Sequence, residues 1–150
     1  MIMGFLDKLR APKASISLML DKQFFSLREP LTGKLAVSSN DEFETDDIRV
    51  EMWVTEWVRA TENKTVGQSS TPVTAQQTST LHQSKVSVAG YTQITSGFNQ
   101  EFPFSIYLPQ GVPPTYQSQN VRTSWVIKGV IGIKGRPDVN TRDMEIRITY

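Results

Sequence analysis

The sequence contains no cysteine. That excludes disulfide staples, thiolate nucleophiles and cysteine-ligated metals. It fits a reducing compartment. Histidine is nearly absent too, with His82 the single example. Zinc sites usually draw three or four ligands from His, Cys and carboxylates, so one histidine is a poor basis for one. A Ser–His–Asp arrangement needs its members to meet only in space, but no Gly-x-Ser-x-Gly elbow is present. His82 reads as an ordinary surface histidine. No catalytic residue, metal ligand or cofactor is assigned, and an enzyme is not expected.

Long apolar runs are missing as well. No stretch approaches the roughly 18 to 20 apolar residues that span a bilayer. The opening decade is no signal peptide, because Asp7, Lys8 and Arg10 interrupt a short apolar run. A cytoplasmic protein is the expectation. On that basis the sequon Asn63-Lys64-Thr65 is a chance match. Charge of one sign is also lacking. Sixteen basic residues face fifteen acidic ones, for a net charge of +1. Nothing here points to nucleic acid, which usually selects a basic excess.

Two local clusters bear on ligands. Asp41, Glu42, Glu44, Asp46 and Asp47 could gather oxygen ligands for calcium, but the EF-hand order and its central glycine are absent. A solvated acidic turn is the simpler reading. Gly129, Gly132 and Gly135 fall within a strand pattern, with no Lys-Ser/Thr after them, so they do not make a phosphate cradle. A bend or close sheet packing accounts for them better.

What is present is period-two alternation, the mark of half-buried strands. Ile16, Leu18 and Leu20 share one face, and Ser15, Ser17 and Met19 the other. Leu31, Leu35 and Val37 alternate with Thr32, Lys34 and Ala36. Ser38 to Asp47 reads as an acidic turn region. A long strand follows, with Ile48, Val50, Met52, Val54 and Val58 on one face. Arg49, Glu51, Trp53, Thr55, Trp57 and Arg59 lie on the other. Thr61 to Ser84 is rich in Thr, Ser and Gln, with little that is large and apolar. It reads as a long mobile loop or hairpin tip. Phe102, Phe104, Ile106 and Leu108 line one face of the next strand, and Pro103 inside it demands an edge or a bulge. Pro109 to Gln119 reads as a crossover loop. Trp125, Ile127, Ile131 and Ile133 mark another strand, and Met144, Ile146, Ile148 and Tyr150 the last.

About eight strands with turns between most of them predict a sandwich or barrel. One helix is predicted, over Gly4 to Arg10, with Phe5, Leu6 and Leu9 on one side and Pro12 as its stop. Residues 1–13 thus form a short amphipathic segment and 14–150 an all-β domain. Docking of the segment on a membrane surface is the weaker reading, since one helix this short binds poorly alone.

Three stretches carry a resemblance. Phe5-Leu6-Asp7-Lys8-Leu9 before a strand is one. Arg28-Glu29-Pro30-Leu31-Thr32-Gly33-Lys34-Leu35 is the second, although Glu29-Pro30 stands where a glycine is usual. The third runs from Glu101-Phe102-Pro103-Phe104 to Leu108-Pro109, through Pro113-Pro114-Thr115-Tyr116, to Ser124-Trp125-Val126-Ile127-Lys128-Gly129. In order and spacing they resemble the N-terminal domain of the arrestin fold, in its sporulation-control (Spo0M-like) branch, and more distantly the Vps26 retromer subunits. The resemblance covers Ile16 to Tyr150. It implies a two-sheet, immunoglobulin-like (arrestin-type) β-sandwich that acts as an adaptor or scaffold. It spans one sandwich of a two-sandwich family, so either a stand-alone domain or part of a longer chain is expected, without activation by domain rotation. A lone sandwich would expose a surface that its relatives shelter, which implies a homodimer.

Protein partners, a second copy among them, are therefore expected, captured by strand addition at an open sheet edge together with side-chain anchors. Trp53 and Trp57 lie opposite the apolar stripe of their strand, where a single sandwich meets solvent. Two readings stand: an anchoring patch, or rings covered by the N-terminal helix or a loop. Lys128 and Lys134 alternate with the apolar set of their strand. They are either candidates for acidic or phosphate-bearing peptides or simply a solvated face. The other function class considered is a ligand-binding sandwich, calcium-dependent or lectin-like, working through its end loops.

Overall fold

The computed structural model describes residues 10–150. The helix expected over Gly4 to Arg10 lies outside the described residues, apart from Arg10. No helix occurs among the described residues.

Alternation becomes strand wherever a face can be buried. Among the described residues twelve strands form: β1 (Ala14–Leu20), β2 (Phe24–Ser26), β3 (Leu31–Ser39), β4 (Phe43–Thr45), β5 (Asp47–Val66) and β6 (Ser69–Ala89), then β7 (Thr92–Ile94), β8 (Asn99–Ile106), β9 (Tyr116–Gln117), β10 (Val121–Gly132), β11 (Val139–Asn140) and β12 (Met144–Thr149). One sheet has the order β1-β3-β8. The larger has β2-β12-β10-β5-β6, with β9 and β11 added along β10. A small third pair, β4-β7, closes one end. All described pairings are antiparallel except β2 with β12.

The two main sheets bury their apolar faces against each other. Leu31, Leu35 and Val37 of β3, with Ile16 and Leu18 of β1, meet Val50, Val54, Trp125 and Ile127 of the larger sheet. Trp125 is fully buried, and its indole N–H donates to Pro113 O at 2.9 Å. That bond satisfies a polar atom in the core and ties the proline-rich crossover to it. Gly129 faces side chains of the opposite sheet. A Cβ there would lie 2.7 Å from Leu35 Cδ2 and 3.2 Å from Ile16 Cδ1, so close sheet packing explains this glycine. Pro103 sits on β8, an edge strand of its sheet, where its missing N–H costs no ladder bond.

Three expectations need correction. Of the two readings of Thr61 to Ser84, the hairpin holds and the mobile loop does not: β5 and β6 continue into a two-stranded ribbon. β-Branched threonines suit extended backbone even where nothing is buried. Gly67, at φ +63, supplies the first central residue of a two-residue turn between Val66 and Ser69. Ser38 to Asp47 is not all turn, since β4 forms within it and pairs with β7. The crossover from Pro109 to Gln119 likewise contains β9, paired with Arg122 and Thr123.

Candidate partner-binding surface

β5 presents its odd-numbered residues outward. Trp53 and Trp57 stand there four residues apart, both half-buried. Across the ladder, Lys128 of β10 opposes Glu51, two register pairs from Trp53 opposite Val126 and on the same face. Its ammonium lies 5.8 Å from the Trp53 ring centre, within cation–π range. Trp57 faces Arg122 on one side and Thr78 on the other, and its indole N–H donates to Gln76 Oε1 at 3.4 Å. Arg122 in turn donates to Glu145 at 2.9 Å. Trp57, Gln117, Gln119 and Arg122 line a shallow cavity of about 480 Å³. Arg122 and Gln117 also line a neighbouring one of about 510 Å³, which brings in Tyr116 and Glu145. The outer face thus carries an aromatic–cationic stripe bordered by amides. Pairing of β10 with β5 puts Trp53, Trp57 and Lys128 together.

Lys134 is elsewhere. It follows β10 in a turn and lines a cavity of about 500 Å³ with Phe43, Glu44, Asp46 and Arg136. Alternation with Lys128 does not persist past Gly132, where the strand ends. The Arg136 side chain is only 9% exposed. Its Nε donates to Arg10 O at 3.1 Å and its Nη2 to Asp41 Oδ2 at 3.4 Å, while Nη1 finds no partner. Burial pushes the Asp41 carboxyl up. The amides of Lys13 and Glu42 and the Arg136 guanidinium outweigh that, and hold it below the usual range. Arg49 is clasped by Glu51 at 2.8 Å and by Asp47 and Asp138 at 3.5 Å.

Within the acidic run, Asp41 and Asp47 pair with different arginines, Arg136 and Arg49. Among the described residues, no three His, Asp or Glu side chains converge as metal ligands would. His82 lies not in a loop but on β6, opposite Val54 and half-buried.

An open sheet edge was expected from the sequence, but not which one; among the described strands β6 is an outer strand of the larger sheet. Twenty-one residues long, this strand bounds the larger sheet. From Ser69 to Ser84 it carries no Asp, Glu, Lys or Arg. Its register with β5 slips between Ile48 and Arg49 and between Val54 and Thr55, leaving Val88 and Leu81 as bulged residues. Bulges and charges are the usual protection of an edge. Between Val73 and Thr80 neither is present, and Pro72 is the one interruption beside them. Gly67-Gln68, centred between Thr-rich arms, was the available signal.

These features define a two-sheet, all-β sandwich with an extended hairpin arm and an exposed edge. Among solved structures it is similar to Spo0M, the sporulation control protein from Bacillus subtilis, with a TM-score of 0.60 at 17% identity. The alignment covers 93% of this chain and 51% of that one, so the chain spans about half the length of that structure. At this identity the likeness concerns the fold, and at that level it agrees with the motif resemblance. No protein-family profile matches the chain. No curated protein matches it either. Among the described residues no helix is long and apolar enough to cross a membrane.

Proposed function

We propose that the chain is a non-enzymatic adaptor domain that captures protein partners on the outer face of the larger sheet and along β6. The observation that carries this reading is the coincidence of two features on neighbouring strands. Trp53 and Trp57 with Lys128 supply side-chain anchors of the type enriched at binding hot spots. One strand away, β6 has no second neighbour among the described strands, and its outward N–H and C=O groups suit an added strand. A partner strand on β6 would bring its own side chains beside Gln76 and Thr78, next to Trp57.

The test is crosslinking of the tagged domain to partners in a cell extract, with the linked residues read by mass spectrometry. Links should map to β6 and to the Trp53–Trp57 stripe. Replacing both tryptophans with Ser should cut capture by about tenfold or more, since aromatic anchors commonly exceed ~1.4 kcal/mol each. Thermal unfolding should change little, because neither ring is in the core cluster. Unchanged capture by the double variant would remove the anchors from this reading.

A further inference from the structure

We propose that the partner strand on β6 is β6 of a second copy, paired antiparallel about a two-fold axis near Gln77. This rests on the reading of β6 as the docking edge and names its occupant.

The backbone directions follow from the turn. Val66 and Ser69 flank a two-residue hairpin loop, which makes them a hydrogen-bonded pair. From there the period of two aims the N–H and C=O groups of Thr71, Val73, Ala75, Gln77 and Ser79 at β5. Those of Thr74, Gln76, Thr78 and Thr80 point to the open edge. Pro72 falls in the outward set, the one place where its missing N–H leaves the β5 ladder whole. The usable edge therefore runs from Val73 to the bulge at Leu81.

That segment suits itself. A two-fold axis sets identical strands side by side, so any charge would meet its own kind nearby. Here there is none between Ser69 and Ser84. With Gln77 on the axis, Thr74 meets Thr80 of the second copy and Gln76 meets its Thr78. By symmetry this makes about eight backbone hydrogen bonds. Hydroxyls and amides both donate and accept, so each side-chain pair is complementary to itself. A net charge of +1 adds little long-range repulsion. The bodies also stay apart. β10 accompanies β5 only as far as Val58, which opposes Gln77. Each sandwich then lies on its own side of the axis, and each ribbon arm lies along the other copy's β6.

Three measurements on the full chain test this. Sedimentation equilibrium at tens of micromolar should give twice the 16.9 kDa chain mass. Thr78→Pro removes an outward N–H without touching the β5 ladder, so it should yield a folded monomer with unchanged circular dichroism. The chain has no cysteine, so Gln77→Cys should form a disulfide-linked dimer under mild oxidation, while Ser118→Cys should not. A monomer at all concentrations, or equal crosslinking of the two cysteine variants, overturns the proposal. If Thr78→Pro abolishes capture of another protein while the wild-type chain is monomeric, the docking edge stands and self-pairing falls. If the wild type dimerises but Thr78→Pro still dimerises, the edge is the wrong interface.

Discussion

At the scale of single residues, Gly129 marks a tight contact between the two main sheets. Its alpha carbon sits where Leu35 and Ile16 of the facing sheet leave no room for a methyl group. Gly129→Ala should destabilise the domain by about 1–3 kcal/mol, because a packed core accommodates an added carbon only by shifting side chains off their rotamers. Urea unfolding measures this. Thr45 shows the complementary case of a buried polar group fully used. It is completely buried, and its hydroxyl donates to Gly132 O at 2.6 Å while accepting from the Asp47 amide at 3.2 Å. The fully buried position of Trp125 was legible from alternation alone, since its strand neighbours Ile127 and Ile131 share that face. The environment of Trp53 was not. Its lysine neighbour comes from a strand more than seventy positions away in sequence, and only register decides which cation meets which ring.

At the scale of elements, the β5–β6 hairpin differs along its length. Up to Val58 it is flanked by β10 and covers the core. Beyond that point it is two strands alone, exposed on both faces for about 25 Å at a rise near 3.4 Å per residue. Isolated hairpins are marginal in water. Amide hydrogen exchange should therefore be fast for the inward-bonded amides of residues 59–66 and 69–76, and slow for those of residues 48–57. Dimerisation through β6 would reverse this in part, by protecting Thr74, Gln76 and Thr78 in a concentration-dependent way. The ribbon is where reading by periodicity fails for a physical reason. Hydrophobic alternation reports burial of one face, and an arm with two solvated faces has no apolar stripe to alternate. The remaining signals were threonine content and the glycine at the turn.

At the scale of the whole molecule, polar contacts at one end join segments far apart in the chain. Asp41 accepts from the Lys13 amide at 3.4 Å and from Arg136 at 3.4 Å, linking the approach to β1, the end of β3 and the turn after β10. Elsewhere, Glu29 holds Lys22 at 2.5 Å and accepts from the Ser26 amide at 2.8 Å. Its bond to Lys22, then that amide, lower its carboxyl below the ordinary value. Both carboxyls thus titrate lower in the folded chain than in the unfolded one. Their contribution is present above the unfolded values, near 4 to 4.5, and is lost as pH falls through the folded values. The thermal midpoint should drop below about pH 4, and Asp41→Asn should flatten that drop. The effect should be modest, because these pairs meet solvent.

The sequence by itself determined the fold class, because alternation of apolar and polar residues is a local property that survives without knowledge of partners. It also restricted Pro103 to an edge or a bulge, since a residue without an N–H has few positions in a sheet, and the fold chose the edge. It did not reveal how strands neighbour one another. Order and register depend on which buried faces fit across the sandwich, a sum over contacts between distant segments. Tertiary structure alone therefore decided that Lys128 rather than Lys134 stands over a tryptophan. It alone gave Asp41 and Asp47 different arginine partners. It also left β6 as the outermost strand, with an uncharged stretch of backbone open to another chain.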